Sequence, residues 1–165
     1  MKILTLLRHA KSKGKNGPVE DRERPLSKRG KDAAQRMAQR LAEKGFMPDA
    51  ILTSPARRAV KTAQLVARGL GYAEARVALE EGIYEASAEE LLDILHGLDE
   101  ACRHVMLVGH NPGFTDLSNV INSFAIDHIP TCGVVCSEFD IAAWSDLAPG
   151  QGCLIFFDYP DGTPQ

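Results

Sequence analysis

Lys2-Ile3-Leu4-Thr5-Leu6-Leu7, followed at once by Arg8-His9, is the stretch on which the reading of the fold turns. It is a short run rich in Ile and Leu that ends abruptly in polar residues. That is the pattern of a strand buried on both faces, and such strands belong to parallel sheets covered by helices. The next stretch, Lys11 to Pro25, mixes many charges with Gly14, Gly17, Pro18 and Pro25, which makes it a loop. It is long for a loop, and long loops in compact domains are often functional.

Ser27 then suits an N-cap and Gly45 a C′ position. Between them Ala33, Ala34, Met37, Ala38, Leu41 and Ala42 recur at helical spacing, with charged and amide residues on the other face. Ala50 to Thr53 reads as a second strand, and Pro55 to Leu70 as a second helix closed by Gly71. Arg76 to Leu79 reads as a short third strand. Ser87-Ala88-Glu89-Glu90 has capping-box spacing ahead of Leu91, Leu92, Ile94, Leu95 and Leu98. Val105 to Val108 is a fourth strand, and Pro112 opens a helix continued by Leu117, Val120, Ile121 and Phe124. Ser137 to Ile141 and Cys153 to Tyr159 close the chain as strands. With no repeat, low-complexity tract or linker, the β-α alternation predicts one α/β domain over residues 1–165. Its central sheet should be mostly parallel, with helices on both faces and an antiparallel contribution near Phe139 and Phe156.

Composition sets outer limits. The chain has 165 residues, is 44% hydrophobic and 25% charged, and carries a formal net charge of −3. A chain of this size buries about 70% of its unfolded surface and needs no disulfide or metal to hold a core. The charge balance provides no overall basic field and argues against a nucleic-acid partner, without forbidding a local basic pocket. Cys102, Cys132, Cys136 and Cys153 match no zinc spacing and read as packing residues. The apolar run Ile3 to Leu7 is too short for a signal peptide, and no run suits a membrane span. The expectation is a cytoplasmic protein with reduced thiols and no membrane partner. His96, His104 and His128 fall among surface-like residues and receive no role. Trp144 reads as a core or edge-covering aromatic.

In an open α/β sheet, ligands bind beyond the C-terminal ends of the strands. Arg8-His9 follows the first strand, Ser54-Pro55-Ala56-Arg57-Arg58 the second, and Gly109-His110-Asn111-Pro112 the fourth. Histidines and arginines therefore converge on one edge, a positive pocket in an acidic protein. Adjacent arginines and the lack of a carboxylate cluster argue against a metal ion, and nothing calls for a cofactor. A histidine flanked by arginines suits phosphoryl transfer, because guanidinium forks neutralise charge on the equatorial oxygens.

Leu7-Arg8-His9-Ala10-Lys11-Ser12, the segment Thr53 to Ala59 with Thr62-Ala63, and Val108-Gly109-His110-Asn111-Pro112 together resemble the histidine phosphatase superfamily. Arg-His-Ala-Lys-Ser and the segment Arg24-Pro25-Leu26-Ser27 narrow the resemblance to its SixA-like phosphohistidine phosphatases. The resemblance implies a phosphoglycerate mutase-like fold. It implies His9 as a nucleophile, Arg8 and Arg58 as a phosphate clamp, and His110 as a second pocket histidine donating a hydrogen bond. Asp21 and Arg24 match a loop aspartate and arginine near the phosphate, and Ser12 is a further candidate contact. Larger relatives carry Arg-His-Gly-Glu, a cap and a glutamate acid; here Ala10-Lys11 replace the last two residues and there is no room for a large cap. Glu81 is the best candidate for the acid. An imidazole leaving group needs little proton assistance, so the implied substrate is a phosphohistidine-bearing protein. A small phosphate ester, or a pocket that binds phosphate without turnover, are the alternatives.

Overall fold

The first strand, β1 (Lys2–Arg8), lies inside a six-stranded sheet of order β3-β2-β4-β1-β5-β6. The computed structural model describes residues 1–161. Its other strands are β2 (Ala50–Thr53), β3 (Ala78–Leu79), β4 (His104–Gly109), β5 (Val134–Phe139) and β6 (Cys153–Asp158). β1 pairs parallel with β4, β4 with β2, and β2 with β3. β5 runs antiparallel to β1 and to β6, so the C-terminal strands supply the expected antiparallel edge.

β1 alternates between two cores. Leu7 faces one that contains Met106 and Val108, and Leu4 and Leu6 face another with Val105 and Leu107. Helices α1 (Lys28–Glu43) and α2 (Arg57–Leu70) cover the first face through Met37, Leu41, Ala63 and Val66. Helices α3 (Ala88–His96) and α4 (Gly113–Ile121) cover the second through Leu91, Leu95, Phe114 and Leu117. Trp144 is fully buried there, its indole N–H donating to Cys102 O at 2.8 Å.

Local signals placed the helix ends with few exceptions. Ser27 accepts from Gly30 N, Ser87 and Glu90 complete a capping box, and Gly71 closes α2 at φ 74°. α2 begins at Arg57 rather than Pro55, because the buried Ser54 hydroxyl accepts from Ala56 N and holds that segment as a turn. α4 ends at Ile121, before Phe124, since Asn122 is extended. The third strand shrinks to Ala78–Leu79 because Glu74–Arg76 forms a 3-10 turn. β5 starts at Val134 and stops at Phe139, instead of spanning Ser137 to Ile141. Val134 and Val135 pair with Leu7 and Leu6, and the chain turns after Phe139. Cys132 and Cys136 are packing residues, but Cys153 is exposed and Cys102 half-buried. His104 is no surface residue: it bonds Thr5 Oγ1 at 2.9 Å and stands edge-on to Phe46.

Candidate active site

β1 and β4 are neighbours in parallel register, Arg8 opposite Gly109, so both strands release their histidines at the same end of the sheet. The His9 and His110 ring centroids are 5.1 Å apart. His9 is only 8% exposed and its Nδ1–H donates to Ala10 O at 2.7 Å. A carbonyl can only accept, so the proton resides on Nδ1 and Nε2 keeps its lone pair. Burial pushes the His9 pKa down to about 3, aided by His110, Arg58 and Arg8. The ring is therefore neutral near pH 7, as a nitrogen nucleophile requires.

α2 supplies Arg58, which is 6% exposed. Thr62, one turn later, ties the pieces together: its hydroxyl donates to Arg58 O at 2.8 Å and accepts from Ala10 N at 3.0 Å. Arg58 Nη1 donates to Asp21 O at 2.7 Å and Nη2 to Asp21 Oδ2 at 3.0 Å. Arg8 Nη1 donates to Ile129 O at 2.9 Å. The Nε atoms of both arginines are buried without a partner. An orphaned buried donor is costly, and two on guanidinium groups that both act on His9 suit an anion that would satisfy them.

Arg58 Nη2 also faces His110 Nδ1 at 3.5 Å, while His110 Nε2 meets Ser54 Oγ at 2.7 Å. Burial and the neighbouring Arg58 hold the His110 pKa down, to about 4. Neutral His110 then accepts on Nδ1 and donates from Nε2–H to Ser54.

The long loop forms a 3-10 turn at Asp21–Glu23 that brings Asp21 onto Arg58. Asp21 also accepts from Arg24 Nε at 3.0 Å and from the Tyr84 hydroxyl at 2.5 Å. The Tyr84 bond, with Arg58 and Arg24, holds its carboxyl down to about 2, and Tyr84 is raised to about 12 by burial and by Asp21. Tyr84, whose ring centroid is 5.6 Å from that of His110, is a site residue that sequence reading missed. Its one signal is its position three residues after Glu81. Glu81 itself is exposed and pairs with Arg22 at 3.1 Å, on the outer wall of a hollow that Asp21 and Tyr84 also line. Ser12 is half-buried and bridges backbone to backbone with Leu26. Its hydroxyl meets none of these groups. Among the described residues, no three His, Cys, Asp or Glu side chains are grouped to hold a metal ion, and no helix is long and apolar enough to cross a membrane.

Relatives share this architecture. A protein from Agrobacterium tumefaciens, described as a candidate phosphohistidine phosphatase SixA, is 27% identical, with a TM-score of 0.78 over 96% of this chain and 98% of its own. The protein histidine phosphatase SixA, solved with tungstate, is 19% identical with a TM-score of 0.81 over 96% and 97% and supports the fold. An uncharacterized chloroplastic protein of Arabidopsis thaliana is 30% identical across 97% of this chain and 78% of its own length. The sequence model of the histidine phosphatase superfamily (branch 1) matches residues 4–101. The family match spans more than half of the chain and the Agrobacterium structure nearly all of it, so the chain belongs to the histidine phosphatase superfamily, in its SixA-like form.

Proposed function

We propose that this phosphatase acts through His9 on phosphohistidine carried by a protein, the whole chain 1–165 serving as one catalytic domain. One observation carries the nucleophile: His9 Nε2 is left with a free lone pair, beside two arginines whose buried Nε–H groups have no partner. In the first step His9 Nε2 attacks phosphorus. The N–P bond forms, the bond to the leaving nitrogen breaks, and that ring keeps the electron pair and takes a proton from solvent. Water then attacks the phosphoryl group on His9, returning the pair to Nε2 and releasing phosphate and a proton. Arg8 and Arg58 bind the equatorial oxygens. A phosphoryl dianion counteracts the burial that keeps His110 neutral, and His110 then gains a proton and donates to it. Arg24 and Asp21 hold Arg58 in place; Ser12 is a contact only if the loop moves.

The substrate class follows from what the pocket offers a leaving group. Glu81 is taken up by Arg22 on the exposed surface, and Asp21, its carboxyl pushed to about 2, keeps no proton near neutrality. An alkoxide needs that proton, while imidazole leaves without much help. Chemistry of this kind needs no metal or other cofactor. The free thiols suit a reducing compartment, and we assign the enzyme to the cytoplasm.

Small phosphate esters are a second reading, favoured by the Tyr84 hydroxyl beside the site. Turnover of a phosphohistidine protein and of an alkyl phosphate separates the two. A missing general acid predicts a preference for the P–N bond of about 10²–10⁴-fold. Equal rates on both would overturn the phosphohistidine assignment, and a Tyr84→Phe variant slowed only on the ester would support the second reading. The phosphoenzyme should be acid-labile, base-stable and absent from His9→Ala; label on serine or cysteine would reject the mechanism.

A further inference from the structure

A groove of about 510 Å³ lies against the outer face of α2, the helix that carries Arg58. Arg57, Val60, Lys61 and Gln64 line it from α2. Their spacing of three and four residues puts them on one helix face, while Arg58 and Thr62 turn into the protein. Lys31 of α1 lines it too, with Pro25 and Leu26 of the long loop. The groove shares its elements with the proposed machinery: Arg57 precedes Arg58 in α2, and Glu23 belongs to the same short turn as Asp21, which bonds Arg58.

Its charge runs against that of the molecule. The chain is net −3, yet Lys31, Arg57 and Lys61 meet here with Glu23 as the one facing carboxylate. Among the described residues none of the three cations joins an ion pair. Val60 and Pro25 add apolar surface between them, and the Gln64 amide can bond a peptide backbone. The separate hollow around Tyr84 is lined by Glu20, Glu81 and Glu85, with Arg22 among them.

We propose that this groove docks an acidic, extended segment of the phosphoprotein substrate on one side of its phosphohistidine. The proposal rests on the phosphohistidine reading above and adds the feature of the substrate that selects it. Carboxylates on that segment would pair with Lys31, Arg57 and Lys61 while its backbone follows the face of α2.

Three peptides of equal length with a central phosphohistidine test it. One carries glutamates on the N-terminal flank, one on the C-terminal flank, and one carries glutamines on both. One of the glutamate peptides should have a kcat/KM about tenfold above the glutamine peptide, through KM, and the advantage should shrink as salt is added. A variant combining Lys31→Gln, Arg57→Gln and Lys61→Gln should lose the advantage yet hydrolyse an aryl phosphate at the wild-type rate, which also reports that it is folded. Equal kcat/KM on all three peptides, or an advantage that persists in the variant, overturns the docking proposal alone. Turnover of the aryl phosphate with none of the phosphohistidine peptides rejects the substrate reading, and docking with it.

Discussion

At the scale of single residues, the site depends on burial shaping charge. Arg8 and Arg58 are two guanidinium groups with buried, unpartnered Nε atoms, so each should contribute when negative charge develops. Arg8→Ala or Arg58→Ala is expected to lower kcat on an aryl phosphate by about 10²–10³-fold, whereas exposed Arg57→Ala should leave it unchanged. A loss as large in Arg57→Ala would mean the clamp has been assigned to the wrong arginine. The histidines carry a pH signature. Burial holds His9 at about 3 and His104 and His110 at about 4. Unfolded, each takes up a proton below about 6.5, so stability is complete above that pH and declines as pH falls toward 4. Thermal melting should show a Tm that drops over this window, with a shallower slope in His9→Gln. A Tm equal at pH 7 and pH 4.5 would contradict the burial argument. Arg8, His9, Arg58 and His110 were legible because strand ends and motif order mark them. Tyr84 was not: what makes it matter is Asp21, distant in sequence and brought near by the loop.

At the scale of elements, the join between β1 and α1 sets where His9 stands. Lys11 O accepts from Ser27 N at 2.9 Å and from the Ser27 hydroxyl at 3.1 Å. Gly30 lies against the same carbonyl: a Cβ there would come within 2.1 Å of Lys11 O, which is backbone and cannot swing aside. Gly30→Ala should therefore destabilise the protein by about 1–3 kcal/mol and lower kcat, since relief means moving the segment just after His9. Ser27→Ala removes a cap and should cost about 1 kcal/mol with a smaller effect on rate. Denaturant unfolding with parallel kinetics checks both. A Gly30→Ala protein of wild-type stability would show that the join yields easily. The helix was readable from Ser27 to Gly45, but the reason for glycine at position 30 lies in the loop that crosses it.

At the scale of the whole molecule, the pocket is assembled from β1, α2, β4 and the long loop, so an anion that fills it should stabilise the entire fold. At a hundred times its Kd, tungstate should add about 2.7 kcal/mol of stability, raising Tm by roughly 5–10 °C. Arg8→Ala and Arg58→Ala should show little of that rise. The shift and the activity should both survive a chelator. Activity lost to a chelator and restored by a divalent metal would show that the pocket has been misread.

The sequence alone determined the α/β class, the four helices, the parallel core of the sheet and the ends from which His9, Arg58 and His110 emerge. Those features are local or periodic: caps, apolar alternation and turn residues act within a few positions of one another. Only the tertiary structure decided that β5 begins at Val134, where pairing with Leu7 outweighs local pattern. It also decided that His104 is held inside beside Phe46 and that Glu81 is taken up by Arg22. Above all, it decided that Asp21 reaches across the loop to Arg58 and Tyr84. These pairings join groups far apart along the chain, and no short-range signal distinguishes a charged or aromatic residue that finds such a partner from one that stays in solvent.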